Sequence, residues 1–145
     1  MPELDVTDLD SSSAFYVGLI GFEVVFVRRH ERFAYLALDR AELMLQHAEG
    51  PGRRFRTAPL AHPFGRGINL QIAVSDVDHV HHAVVDAGLR PVLALEERWY
   101  DVEVVTPAGV GPMETGNRQF VVEDPDGYLL RLFTSLGTRS SDGDR

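Results

Sequence analysis

The amino-acid sequence predicts an α+β domain built from two copies of one βαβββ unit. Residues 6–10 (Val-Thr-Asp-Leu-Asp) match residues 74–78 (Val-Ser-Asp-Val-Asp), and each copy follows a short alternating or apolar run that is typical of a strand. Each copy also precedes an amphipathic segment that ends in a glycine, Gly21 or Gly88, as helices commonly do. The strand and helix patterns therefore occur twice, in the same order.

The second half of each unit is repeated as well. Residues 35–46 align without a gap with residues 120–131, and both segments carry strand patterns. An Asp-Pro-Asp-Gly sequence at 124–127 favours a hairpin turn, because proline presets its own φ and glycine accepts a positive φ. Residues 22–27 and 90–95 supply the remaining strand of each unit. The predicted order is thus β-α-β-β-β, twice.

The two helices are predicted from their caps and their apolar stripes. An aspartate suits the N-cap and the first turn, where its carboxylate meets free backbone N–H groups and the positive end of the helix dipole. The candidate capping residues are Asp8, Asp10, Asp76 and Asp78. The apolar stripes comprise Ala14, Phe15, Gly18 and Leu19 in the first helix, and Val77, Val80, Val84 and Ala87 in the second.

The chain divides into one domain and a short tail. The domain spans residues 1–137, with repeat one at about 2–47, a linker rich in Gly, Pro and Arg at 48–67, and repeat two at about 68–136. Residues 99–117 contain five glycines and prolines, which indicates a long loop or a ragged hairpin. Residues 138–145 are polar, and we expect them to form a disordered tail.

The composition excludes several kinds of function. The 145 residues include 22 Asp and Glu against 14 basic residues, all arginine, so the formal net charge is -8. Without cysteine or lysine the chain has no disulfide, thiolate metal site, cysteine nucleophile or lysine Schiff base. The acidic balance disfavours nucleic acid, and it fits either a cationic ligand or simple solubility. With no long apolar run and no secretory signal, we expect a cytoplasmic protein with no membrane partner.

These motifs, duplicated and in this order, resemble the vicinal oxygen chelate superfamily, which includes glyoxalase I, extradiol dioxygenases and bleomycin resistance proteins. The resemblance covers about residues 2–136 and rests on the segments 8–10, 14–16, 19–22 and 120–133. Similarity is greatest to the bleomycin resistance branch, through residues 14–16, 39–45, 116–120 and 129–131. The resemblance implies that the two units form an open half-barrel of mixed sheet, with the helices outside and a ligand inside.

The resemblance also assigns four positions to a divalent metal, namely Met1, Gln46, Asn69 and Arg131. By the repeat, Asn69 is the equivalent of Met1, and Arg131 is the equivalent of Gln46. Methionine is a soft ligand, the two amides are weak neutral donors, and arginine is permanently cationic. A catalytic metal needs about three ligands. We therefore expect no metal and no other cofactor, and we assign no catalytic residue; Arg131 contacts a ligand or forms a structural ion pair.

Histidine is the other source of metal ligands in this chain. His79, His81 and His82 cluster at the start of the second helix, where His79 and His82 lie one turn apart. With Asp86 they form the polar face of that helix, which we interpret as a solvated face rather than a metal site.

Strand alternation predicts the floor of the ligand cavity. Because successive side chains of a strand point to opposite faces, Leu129 and Phe133 share the face of Arg131. By the repeat, Gln46 lies on the cavity side and Leu45 faces the helices. The predicted floor is mostly apolar, with two polar points at Gln46 and Arg131.

Two aromatic residues at the mouth of the predicted loop are the strongest candidates for ligand contacts. Trp99 and Tyr100 offer flat apolar area with polar handles, and we expect Trp99 to stack on the ligand unless its ring closes the core. Nearby carboxylates would attract a cation or form a solvated rim: Glu96, Glu97, Asp101, Glu103 and Glu114. The full set of predicted ligand contacts is Trp99, Tyr100, Gln46, Asn69, Arg131, Phe133 and Glu114.

Three functions are compatible with this sequence. The favoured one is a metal-independent binding protein that sequesters a bleomycin-like or other cationic heteroaromatic compound without breaking a bond. The second is an enzyme, either a lyase, isomerase or dioxygenase of the superfamily or a metal-free variant with Arg131 as an electrophilic clamp. The third is a small-molecule sensor. The open sheet edge, together with the resemblance, predicts a homodimer.

Overall fold

The structure, a computed structural model, describes residues 1–141 and contains two sheets of four strands. The first repeat comprises β1 (Glu3–Val6), α1 (Leu9–Ser13), a π-helix (Ala14–Ile20), β2 (Glu23–Arg28), a 3-10 turn (Arg29–Glu31), β3 (Phe33–Leu38) and β4 (Ala41–His47). The second repeat comprises β5 (Asn69–Ala73), α2 (Val77–Asp86), β6 (Leu93–Thr106), β7 (Gly109–Glu123) and β8 (Leu129–Ser140). The predicted α+β order is confirmed. Within this part of the chain no helix is long and apolar enough to cross a membrane.

Both sheets have the same topology. The strand orders are β1-β4-β3-β2 and β5-β8-β7-β6, with the first strand of each repeat parallel to the fourth and the other pairs antiparallel. The sheets are therefore mixed, as predicted. Neither sheet closes into a barrel, which agrees with the expected open half-barrel.

One hydrophobic core lies between the sheets and the helices. Alternation brings Leu45 of β4 and Leu130 of β8 into it, and both are fully buried. The predicted stripe of α2 is confirmed at Val77, Val80 and Val84, which are all buried. The other face of both sheets is turned away from the helices, and we call it the inner face. It carries Gln46 and Arg131.

The first helix buries only part of the predicted stripe, since Phe15 is buried and Leu19 packs against the core as expected, but the other two positions are not buried. Phe15, Tyr16 and Ile20 are buried, whereas Ala14 and Gly18 are exposed. The cause is the change to π geometry after the first turns, because i→i+5 hydrogen bonding widens the helix and shifts its faces away from a 3.6-residue period. The capping predictions do hold, since the side chains of Asp8 and Asp76 accept hydrogen bonds from the backbone N–H groups of their helices.

The turn between β7 and β8 joins the two repeats. The hydroxyl of Tyr16 donates to the carboxylate of Asp124 at 2.7 Å. Thr7 donates its backbone N–H and its hydroxyl to Asp126, at 3.1 and 2.6 Å. Burial raises the pKa of Asp124, although its hydrogen bonds act in the opposite direction. A motif that reads as a local turn thus also makes polar contacts between the repeats.

Residues 99–117 belong to a regular hairpin. β6 and β7 pair without a register shift from Glu96↔Gln119 to Thr106↔Gly109, and β8 runs beside β7 as far as Ser140. The hairpin alternative is confirmed, and the loop alternative is wrong, because the many valines of this segment favour strands despite its glycines and prolines. We call residues 99–117 with 135–140 the arm. Thr138–Ser140 were expected to be disordered but belong to β8, Ser141 follows as a turn residue, and residues 142–145 of the predicted tail lie outside the described residues.

The gapless alignment of the repeats is wrong at the turn between the third and fourth strands. In the first repeat, Leu38 pairs with Ala41 across a two-residue turn. In the second repeat, the N–H of Asp124 donates to the carbonyl of Tyr128 at 2.9 Å, across three residues. The second turn is therefore one residue longer.

The strand pairings show that the repeats are offset by two residues from the predicted alignment in the fourth strand, and the longer turn accounts for one of these. Asp5 and Ala73 are equivalent, because each lies three residues before the capping aspartate of its helix. The strand partner of Asp5 is Gln46, and that of Ala73 is Phe133. Gln46 thus corresponds to Phe133, and Arg131 lies two residues earlier on the same face. The expected equivalence of Gln46 and Arg131 is incorrect.

Candidate functional site

The inner face of the second sheet has an arginine at its centre. Arg131 of β8 is flanked in register by Gln71 of β5 and Val121 of β7. Leu129 and Phe133 share its face, as alternation predicts, and both are half-buried like Arg131 itself. The centre of this face therefore combines apolar surface with one positive charge.

Arg131 has no carboxylate partner within residues 1–141. None of the ion pairs in that range includes it, and its buried Nε has no hydrogen-bond acceptor. The structural ion pair expected as an alternative role is therefore not formed within the described part of the chain.

A polar cluster lies next to this centre, between β6 and β7. The side-chain amide of Gln119 donates to the hydroxyl of Tyr100 at 2.6 Å and to the carboxylate of Glu96 at 3.1 Å. Gln119 is only 1% exposed, and its Oε1 has no donor. Its strand partner is Phe133, so the cluster lies on the inner face. Sequence reasoning missed Gln119, although a glutamine beside the apolar run 120–122 was a usable signal.

In the first repeat the linker covers the inner face. Gln46 is 4% exposed, and its amide donates to the carbonyl of Arg53 at 3.2 Å. The carboxylate of Asp5 lies 2.9 Å from Nε of Arg56 and 3.9 Å from Nε of Arg54. Gln46 lines a pocket of about 230 Å³ with residues of this repeat and the linker: Glu3, Asp5, Arg54 and Phe55. The linker thus satisfies polar groups that a ligand would otherwise meet.

The predicted contact Asn69 is exposed at the start of β5. Its side chain borders a pocket of about 370 Å³ between the two repeats, which Met1 and Pro2 also line. Asn69 lies on the inner face with Gln71, because residues two positions apart on a strand point to the same face.

Two predicted contacts lie on the opposite face of the sheet. Trp99 pairs with Gly116, and a methyl group added at Gly116 would lie 2.7 Å from the indole ring. The guanidinium of Arg139 lies 3.9 Å from the centre of that ring, and it also bonds Glu114 at 2.7 Å. Trp99 and Glu114 are thus on the helix side of the arm. The expectation that Trp99 covers the cavity floor is wrong, and the aromatic residue on the inner face is Tyr100.

The residues present do not fit a divalent metal. Gln46 is held by the linker, Arg131 is a cation, and within the described residues no three His, Asp or Glu side chains form a metal-binding group. The histidines of α2 do not make such a site either. His81 packs its ring against Phe120 at 5.1 Å, while His79 and His82 are exposed.

Comparison with known proteins gives the same fold. A sequence model of the glyoxalase/bleomycin resistance protein/dioxygenase superfamily matches residues 3–132. TioX from Micromonospora sp. ML1 is 23% identical, with 93% of this chain and 96% of that chain covered and a TM-score of 0.65. A virulence protein from Salmonella typhimurium is 20% identical, with 91% of each chain covered and a TM-score of 0.62.

A bleomycin resistance determinant encoded on the transposon Tn5 is also 20% identical, with coverage of 93% and 95% and a TM-score of 0.55. At these identities the similar structures show the fold alone. No curated protein sequence matches the chain. The match over residues 3–132 spans most of the 145 residues, and the chain therefore belongs to the glyoxalase/bleomycin resistance protein/dioxygenase superfamily.

Proposed function

We propose that the protein binds a small aromatic compound on the inner face of its second repeat, by stoichiometric capture and without a metal. The observation that carries the proposal is the Gln119 cluster beside the half-buried apolar floor of Leu129 and Phe133. A buried acceptor without a donor costs free energy, and a ligand that supplies the donor recovers it. Tyr100 and Phe133 offer ring surface next to that acceptor.

The arrangement of charge does not favour the cationic, bleomycin-like ligand that the composition suggests. Successive side chains of β6 point to opposite faces, and Tyr100 lies on the inner face. The helix side of the arm, where Glu114 also lies, therefore carries Glu97, Asp101 and Glu103. Only Glu96 of that cluster lies on the inner face, where it accepts from Gln119. We therefore propose an aromatic ligand whose charge is determined by the residues of the floor and not by the net charge of the chain.

A calorimetric titration with aromatic antibiotics, including bleomycin, tests the proposal. We expect at least one compound to bind at one per chain. Tyr100→Ala should weaken that binding about threefold to tenfold, since an aromatic contact contributes about 0.5–1.5 kcal/mol. Trp99→Ala is the matched control, because its ring lies on the other face, and it should leave the affinity unchanged. If no compound binds, or if Trp99→Ala weakens binding and Tyr100→Ala does not, the assignment fails.

Metal analysis tests the second part of the proposal. After dialysis we expect well below one equivalent of transition metal per chain. One equivalent that survives dialysis and is lost in Gln46→Ala would contradict a metal-free site.

We also propose that the chain forms a homodimer through β2. This edge strand is exposed on both faces, and its residues Val24, Val25, Phe26 and Val27 are 43% to 54% exposed. An apolar edge of this kind invites strand pairing or sheet packing by another chain, and a second copy is the simplest partner.

Light scattering should give twice the chain mass of 16.1 kDa. Val25→Arg should produce a monomer, whereas Val105→Arg, at a 77% exposed position of the arm, should not. A monomeric unsubstituted protein at micromolar concentration would refute the dimer. Cell fractionation tests the cytoplasmic location that the cysteine-free sequence suggests.

A further inference from the structure

We propose that Arg131 binds an anionic group of the ligand, so that the inner face of the second repeat takes an organic anion such as an aromatic carboxylate. This inference rests on the proposed function and adds the charge of the ligand. It is opposite in sign to the ligand that the net charge of the chain suggests.

The first step is that Arg131 differs from three other arginines of the chain, each of which bonds a carboxylate. Arg118 bonds Asp78 at 2.7 Å, Arg139 bonds Glu114 at 2.7 Å, and Arg56 of the linker bonds Asp5 at 2.9 Å. The chain has 22 acidic and 14 basic residues, so carboxylates are in excess. Arg131 is nevertheless half-buried, with its Nε buried and no carboxylate bound to it in the region 1–141. A partly desolvated cation without a counter-charge favours binding of an anion.

The second step is the set of side chains that face Arg131. Its two partners in register, Gln71 and Val121, are uncharged. Asn69 and Gln71 present exposed amides on the same face, and amides can donate to an anion. The nearest carboxylate by register is Glu123, a diagonal neighbour that is exposed and forms no ion pair with Arg131. The surroundings of the guanidinium therefore supply donors rather than negative charge.

The third step is the shape of the floor. Leu129 and Phe133 lie two residues either side of Arg131, which is about 6.8 Å along the strand. One small planar molecule can thus contact an apolar side chain with its ring while its charged group reaches the guanidinium. The planar fork of arginine donates two parallel N–H bonds to the two oxygens of a carboxylate. An aromatic carboxylate matches both features.

Three probes with one ring and different charges test the inference. The full chain is titrated with benzoate, benzamide and benzamidinium, and binding is followed through backbone amide chemical shifts. The variants are Arg131→Gln, which removes the charge, and Arg131→Lys, which keeps the charge without the fork. Arg90→Gln is the matched control, because it removes the same charge from an exposed residue outside the inner face.

We expect benzoate to change the amide chemical shifts of residues in β5 and β8. Its affinity should be at least about tenfold higher than that of benzamidinium. Arg131→Gln should lower the affinity for benzoate about tenfold, Arg131→Lys should lower it less, and Arg90→Gln should leave it unchanged. The inference is overturned if benzamidinium binds as well as benzoate, if Arg131→Gln has no effect, or if benzoate fails to bind the inner face. Binding of benzamide or benzamidinium there without benzoate would reject the anion and leave the proposed function standing. That function is tested separately, by the antibiotic titration and its Tyr100 and Trp99 variants.

Discussion

In the first repeat the linker folds over the inner face and satisfies its polar groups, whereas in the second repeat Leu129, Arg131 and Phe133 of the same face are only half-buried. Gln46 donates to a linker carbonyl, and Asp5 lies beside two linker arginines. Arg131 and Gln119 each keep a buried polar atom without a partner. The sheets have the same topology, so the difference comes from segments outside the shared unit. Two copies of one fold can thus differ in whether their inner-face polar groups are satisfied within the chain.

The repeats also differ in the length of their strands. β2 and β3 have 6 residues each, while β6 has 14 and β7 has 15. The additional length forms the arm, which carries Trp99 on its helix side and Tyr100 on its inner side. The helices differ too, since α2 is regular and the first helix turns into a π-helix. The second repeat therefore has a longer inner face than the first.

The largest effect is expected where the two repeats meet. Asp124→Ala removes the acceptor for Tyr16 and for the backbone N–H groups of Asp126 and Tyr128. Leaving these buried donors without a partner should cost about 3 kcal/mol of unfolding free energy, measured by urea denaturation. Glu123→Ala, at the exposed neighbouring position, should change it by less than about 0.5 kcal/mol. Equal effects of the two substitutions would show that the turn does not hold the repeats together.

The arm, which only the second repeat has, is tested by Gly116→Ala. The added methyl group would lie 2.7 Å from the ring of Trp99, so the ring must move from beneath Arg139. We expect a loss of about 1–3 kcal/mol in stability and a red shift of tryptophan emission. Gly111→Ala is the control on the same strand, because a methyl group there meets no atom within 4 Å. If both variants behave alike, the packing of Trp99 against the strand is not as described.

The contrast between the two inner faces predicts that substitution by methionine changes the unfolding free energy in opposite directions in the two repeats. Arg131→Met removes a partly buried cation without a partner and should raise the unfolding free energy by about 1 kcal/mol. Gln46→Met removes a satisfied amide and leaves the carbonyl of Arg53 without its donor, so it should lower stability by about 1 kcal/mol. Denaturant midpoints of the two variants decide the matter. A loss of stability in Arg131→Met would mean that this residue has a structural partner.

The smallest effect concerns pH at the joint between the repeats. Burial raises the pKa of Asp124 above its ordinary value of 3.8, so the folded state favours the protonated carboxyl. The contribution of this raised pKa to the unfolding free energy is fully present below pH 3.8, and it is lost as the pH rises through the raised pKa. Asp124→Asn does not titrate, so the unfolding free energy of the unsubstituted protein relative to this variant should fall as the pH rises across that window. Thermal melts at a series of acidic pH values measure the difference, and a rise would reverse the sign assigned to Asp124.

Local patterns in the sequence predicted much of the fold. Three features follow from periodicities that act over a few residues: the capping aspartates, the buried valines of α2 and the core-facing direction of Leu45. The stripe of the first helix was predicted only in part, because nothing in its composition indicates the change from α to π geometry.

The face of Trp99 shows where sequence reasoning stops. A bulge in β6 between Leu93 and Glu96 places two residues of that strand opposite one residue of β7. An extra residue inverts the alternation for everything that follows, so counting along β6 cannot decide which face Trp99 occupies. The coverage of Gln46 by the linker could not be predicted from the sequence either, since it depends on how an irregular segment packs against the sheet.

The position of Trp99 determines what fluorescence can report about this protein. The chain has one tryptophan, and its ring is enclosed between Gly116 and the guanidinium of Arg139, on the far side of the sheet from Tyr100. Intrinsic emission therefore monitors the hairpin, and a compound captured on the inner face need not quench it. A screen based on emission alone would score true binders as inactive, so detection has to come from heat, mass or a label introduced on β5 or β8.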